Sequence, residues 1–206
     1  GYEFDLNPID IYEYNEIVEY ADNFLTGAQV QYVASPKHTF TLQMLNSRTK
    51  TYEELYDSIP GVEESKFPAA LVLNWRGTLA GGKFTTLWSY SSFLEAKGKV
   101  MHYLALGNQY NYKKGSIVYD FKWSDEEIDR KTIVTDMVPD NLYPWAAQDV
   151  QYIEHWLQVN YRFAPRWNLA VIGMVSDAYW QGNPDTSPNK DNHLRTSWGF
   201  IPAVEF

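Results

Sequence analysis

The chain has no cysteine, and its 17 Lys and Arg stand against 26 Asp and Glu, a formal charge of -9 at pH 7. Without thiols there is no disulfide framework, no thiolate metal site and no cysteine nucleophile. The shortage of positive charge removes nucleic acid as a partner, because a phosphate backbone needs a basic face. Long apolar runs are missing as well: the longest, 69–73 and 169–175, fall far short of the roughly 18 residues a membrane helix requires. That excludes a helical membrane protein. It leaves a membrane β-barrel open, because barrel strands alternate and never form long apolar runs. The opening residues do not carry the charged and apolar regions of an export signal.

What the sequence does have is aromatic side chains, with 8 Trp, 16 Tyr and 10 Phe in 206 residues, one domain's worth of chain or a piece of a larger one. From Thr26 onward they fall into tracts of period two, also rich in Val and Thr, which predict strands at 26–34, 39–45, 69–79, 84–94, 100–112, 116–123, 149–163, 167–180 and 194–206. The connectors differ in length. Tight links with Pro or Gly turn chemistry lie at 35–38, 80–83, 113–115 and 164–166, whereas 46–68, 124–148 and 181–193 are long and 95–99 is a short exception. Short turns at one end of the strands and long loops at the other is the plan of an outer-membrane barrel.

Charge divides the same way. Segments 1–22, 53–64 and 125–140 hold 18 of the 26 acids, while all four tight links carry Lys or Arg. Two stretches have helical spacing: 10–21, and a capping box at Thr51 and Glu54 ahead of Leu55. The expected organisation is one β-barrel domain over 1–206, with 1–25 an acidic loop or helical segment that is either solvated or folded into a pore.

Alternation sorts each strand into two faces. One carries Phe40, Leu42, Leu71, Leu73, Trp88, Leu104, Tyr119, Leu157, Val171 and Phe200; the other carries Thr41, Asn74, Arg76, Ser89, Gln109, Asp120, Lys122, Glu154, Gln158, Arg162 and Arg195. In a soluble β-domain the first face packs into a core; in a porin it meets lipid and the second lines an aqueous lumen. The pattern alone leaves both readings open. Aromatics bear on the choice: Phe40, Phe84, Tyr110, Tyr112, Phe163 and Trp167 flank the tight turns and Tyr90, Trp123, Tyr179 and Trp180 lie near the opposite ends. Two such bands are what membrane interfaces require.

The wording of the chain adds to this. Thr26-Gly27-Ala28, Leu42-Gln43-Met44-Leu45-Asn46-Ser47-Arg48, Leu73-Asn74-Trp75, Glu95-Ala96-Lys97-Gly98-Lys99, Leu106-Gly107-Asn108-Gln109 and Ser197-Trp198-Gly199-Phe200-Ile201-Pro202 resemble the phosphate-selective porin O and P family, in the form found in Bacteroidetes-type outer membranes. The resemblance runs the whole chain. It implies a bacterial outer-membrane location, a sixteen-stranded antiparallel transmembrane barrel assembled as a homotrimer, contact with outer-membrane lipid, and passage of small anions or other small hydrophilic solutes. Two features depart from it. Nine strands at about 23 residues each make an odd-numbered set where single-chain barrels are even, and Pro202 interrupts the last tract, so a fragment is expected. The inward charges are also of mixed sign, which argues against anion selectivity: Arg76, Lys122, Arg162 and Arg195 are matched by acids that include Asp120 and Glu154. These six are the expected pore-lining residues.

Other chemistry finds little support. His38, His102, His155 and His193 have no metal-ligand spacing. Glu63-Glu64 and Asp125-Glu126-Glu127 read as solvated charge rather than catalytic pairs, and the Asp- and Asn-containing loop 182–192 lacks EF-hand order. No Gly-rich phosphate loop, nucleophile elbow or HExxH helix is present. The expectation is therefore a porin with no catalytic residue, cofactor or metal. The competing classes are a soluble β-sandwich binding carbohydrate on exposed Trp and Tyr, and a β-rich hydrolase.

Overall fold

A computed structural model of the chain describes residues 27–46, 63–127, 150–180 and 193–205. All nine predicted tracts form strands: β1 (Gly27–Ser35), β2 (His38–Asn46), β3 (Glu64–Leu79), β4 (Phe84–Ala96), β5 (Lys99–Tyr112), β6 (Gly115–Glu126), β7 (Val150–Ala164), β8 (Trp167–Trp180) and β9 (His193–Glu205). They make a single antiparallel sheet in sequential order, open between β1 and β9. No second sheet is stacked on it among the described residues, as a sandwich would require. The two helical stretches expected at 10–21 and 51–56, and the loop 182–192, lie outside the described residues.

Two prolines sit inside strands, Pro68 in a stretch expected to be a connector and Pro202 in the last predicted tract. β3 starts at Glu64 rather than Ala69 and runs through Pro68, with its pairing to β4 shifted between Glu64 and Ala69. A bulge is the place where a residue without an N–H can sit in a ladder. β9 likewise continues through Pro202, in register with Val171. It pairs only with β8 among the described strands, and an edge strand tolerates proline because one side of its backbone needs no ladder partner. In the β3–β4 link Ala80, Gly81 and Gly82 are all at positive φ. Glycine takes that conformation without strain.

The hairpins are staggered with a constant step. One rung of directly opposed residues crosses all nine strands: Gln31, Thr41, Asn74, Ser89, Ala105, Lys122, Glu154, Ser176 and Ser197. Counted from this rung, the innermost pairs of the tight hairpins lie three residues away at His38, five at Leu79, seven at Tyr112 and nine at Trp167. The advance is one residue per strand. With a rise near 3.3 Å per residue and strands near 4.8 Å apart, it corresponds to a tilt of about 35°. This is the tilt that a closed barrel demands and that a flat sheet has no reason to adopt.

At the opposite end of the strands, the Lys97 amide donates to the Glu63 carbonyl at 2.8 Å and its ammonium meets the Glu63 carboxylate at 2.5 Å. The contact joins the start of β3 to the β4–β5 turn. That hydrogen bond holds the Glu63 carboxyl below the usual carboxylate range and the Lys97 ammonium above its own. A depressed carboxyl contributes stability that is present above its unfolded-state pKa and lost as pH falls through its folded-state pKa. Protection of the Lys97 amide against hydrogen exchange, corrected for intrinsic rate, should therefore fall on acidification below the ordinary carboxylate range. Lys97→Met should abolish that dependence. Both groups are fully exposed, so the effect is local.

Candidate functional site

Burial is one-sided. Apart from Ser65, Gly77 and Thr86, the buried residues share the face of the rung just described; among them are Val72, Asn74, Ser89, Lys122, Glu154 and Ser176. Every exposed large hydrophobic residue except Val33, on the edge strand β1, lies on the other face. Leu73 and Leu157 are each 46% exposed, Phe200 63% and Trp198 71%. Water-soluble folds do the reverse, burying the apolar face and exposing the polar one.

The exposed face has the layout of a membrane belt. On β5–β8 its charged or imidazole side chains are His102, Asp125, His155 and Asp177. His102, Asp125 and Asp177 stand ten residues from the innermost pair of their hairpins, and His155 nine from Ala164. At the tilt above, ten residues span about 27 Å, close to the roughly 25 Å apolar band of outer-membrane barrels. The imidazoles are not isolated polar groups. Each is stacked on and hydrogen-bonded to a tyrosine hydroxyl, His102 to Tyr90 at 2.7 Å and His155 to Tyr119 at 2.9 Å.

Nearer the turns the belt ends in aromatic pairs: Trp75 edge-on to Trp88 at 4.8 Å, Phe40 stacked on Trp75 and Phe163 on Trp167. The polar Asn108 in this zone is satisfied by its neighbours, its Oδ1 accepting from Thr86 Oγ1 and Trp88 Nε1. Backbones approach closely here too. A Cβ on Gly115 would lie 1.9 Å from the Asn160 carbonyl oxygen, which instead accepts a 2.6 Å hydrogen bond from Tyr112 Oη.

The buried face brings together three of the six expected residues. Lys122 and Glu154 are directly opposed across β6 and β7, 4.0 Å apart, with side chains only 10% and 9% exposed. Asp120 is two residues along β6 on the same face, half-buried and opposite Trp156. Arg76 shares the Asp120 rung but stands three strands away, roughly 14 Å at ordinary strand spacing, and is exposed. Arg162 is exposed beside the β7–β8 turn, its amide donating to the Lys114 carbonyl at 2.6 Å. Arg195 is in register with Ala178, and its side chain lies outside the described residues. The stagger sets these charges at different heights: Arg162 two residues from the innermost pair of its hairpin, Arg76 three, Asp120 five, Lys122 seven and Glu154 ten. They form no ring of one sign.

Sequence reasoning missed two things about this face. It selected the polar positions, whereas the structure also places Val72, Leu87, Met101, Val118, Tyr152, Ile172 and Met174 there, all buried. It also gave the site to charges alone. Gln109 donates to Asn111 at 2.9 Å, and Gln158 donates to Asn160, which donates to Ser116, each at 3.0 Å. The first two bonds join side chains two residues apart on one strand, while the third depends on the β6–β7 register. Among the described residues there is no group of three or more His, Asp or Glu able to hold a metal ion.

A tilted meander with its apolar belt outward and its polar groups buried is the wall of an antiparallel transmembrane β-barrel. The chain belongs to the phosphate-selective porin O and P family, whose model matches residues 1–191. This is a family of outer-membrane channels and not of enzymes. Neither the curated proteins nor the solved structures contain a match to the chain.

Proposed function

We propose that this chain forms wall strands of an outer-membrane porin that passes small hydrophilic solutes and ions by passive diffusion, within the trimer that the family resemblance implies. The observation that carries the reading is the inverted burial, apolar side chains outside and polar ones inside. Arg76, Lys122, Arg162, Arg195, Asp120 and Glu154 are the lumen charges. Because Lys122 is compensated by Glu154 and the others are spread along the axis, they filter by size and local charge without a strong preference for anions.

The test is conductance. Protein purified in detergent from expressing membranes and added to planar lipid bilayers should give stepwise ohmic openings, with a reversal potential near zero under a salt gradient. A reversal potential close to that of chloride would replace the mixed-charge reading with an anion-selective one. No conductance at all would sink the porin reading.

A further inference from the structure

The register carries the lysines of the tight turns to the inner side of the sheet. The Thr78 amide donates to the Lys37 carbonyl at 2.9 Å, that of Asn111 to Lys83 at 2.7 Å and that of Arg162 to Lys114 at 2.6 Å. Each bond extends a ladder by one rung, and the added position is two residues from an inner one: Lys37 from Thr39, Lys83 from Thr85 and Lys114 from Ser116. Lys37 and Lys83 therefore stand at the turn-end mouth of the inner face, with Arg162 on the same face and Arg76 one inner rung above Lys37. Lys113 is in the β5–β6 turn, and the Lys114 ammonium leans to the rim, 5.7 Å from the centroid of the Tyr161 ring. All six side chains are exposed.

These cations are uncompensated. Lys37, Lys83, Lys113, Lys114 and Arg162 make no ion pair among the described residues. No acid lies in or within three residues of a tight link, and Glu205, in register with Asn168, is the nearest across a ladder. The other ends of the strands lead into the segments that hold 18 of the 26 acids. Between the two ends Lys122 and Glu154 offset each other. The axis runs from a basic mouth through a compensated waist to an acidic mouth. Resting on the porin reading above, we propose that this polarity makes the pore an ionic rectifier, which at low ionic strength conducts better with its loop-end chamber positive than negative. Fixed charges of one sign concentrate their counter-ions at their own mouth. With the loop end positive, anions enter through the basic mouth and cations through the acidic one, and both fill the lumen. With the polarity reversed, each ion must enter past charges of its own sign, and the lumen is depleted of both.

Current–voltage curves of single pores in planar bilayers test this at two salt concentrations. In ~10 mM KCl, where the Debye length is about 30 Å, the current at one polarity should exceed that at the other by about 1.5-fold or more. At about 1 M, where it is about 3 Å, the two should be equal and the openings ohmic. The chain has no cysteine of its own, so Pro165→Cys marks the turn end: a bulky, membrane-impermeant maleimide should lower conductance only from that chamber and so give each pore's orientation. Lys37→Gln, Lys83→Gln, Lys113→Gln and Lys114→Gln together should bring the low-salt ratio to about one, whereas arginine at the same positions should preserve it. Equal currents at low salt overturn the proposal. So does a larger current with the loop end negative, or a ratio that survives the glutamine replacements. Failure of the unaltered protein to conduct would instead strike at the porin reading.

Discussion

Leu157→Arg should destabilise the protein in a bilayer by roughly 2–4 kcal/mol, the cost of an arginine on the lipid face near the midplane of a barrel. Leu157 is seven residues from Ala164, well inside the belt, and nearly half exposed. The sign of the effect separates the two readings of the alternating strands. On a water-soluble sheet, replacing an exposed leucine with arginine is close to neutral, since surface changes away from packed features usually stay within about 0.5 kcal/mol. Reversible denaturant unfolding from lipid vesicles, with Leu73→Arg as a second belt position, measures it. Values near zero at both positions would mean that this face does not meet lipid.

Glu154→Gln should cost as much, or more, by a different mechanism. Removing one member of a buried ion pair leaves the other charge desolvated and uncompensated, typically 3–5 kcal/mol. Asp120, two residues from Lys122 on the same face, and any water on that face reduce the cost, so about 3 kcal/mol is expected. The double replacement Lys122→Met with Glu154→Met should recover most of it, because a buried pair exchanged for apolar residues of similar size is often neutral. The double-mutant cycle read by denaturant unfolding gives the coupling directly. Glu154→Gln should also move the reversal potential toward that of chloride, because it leaves Lys122 uncompensated.

The elements of this fold were legible because their causes are local. Alternation marks strands whatever they pack against, and the Pro and Gly links at 35–38, 80–83 and 164–166 mark their ends. What escaped depends on partners distant in sequence. The opposition of Lys122 and Glu154 is fixed by the β6–β7 register, and the long connector between those strands does not set it. Val118 and Ile172 fall by alternation on the face of Lys122 and Ser176, but nothing local marks that face as the buried one. Pro68 and Pro202 signal breaks that a bulge and an edge position absorb. The directly opposed Asn74 and Ser89 are more than nine-tenths buried without a hydrogen-bond partner among the described residues, and nothing in their local sequence sets them apart.

The constant step between hairpins has a further consequence for anything that touches the inner side. The rung through Thr41, Asn74, Ser89, Lys122 and Glu154 is three residues above the tight turns at β2 and nine at β8, a climb of about 16 Å. Neighbours in hydrogen-bond register are therefore not neighbours in depth, and the hydroxyl, amide and charged groups of that rung form a spiral ramp. A molecule passed from one of these groups to the next turns about the axis as it rises, so it meets them in succession rather than as a single gate.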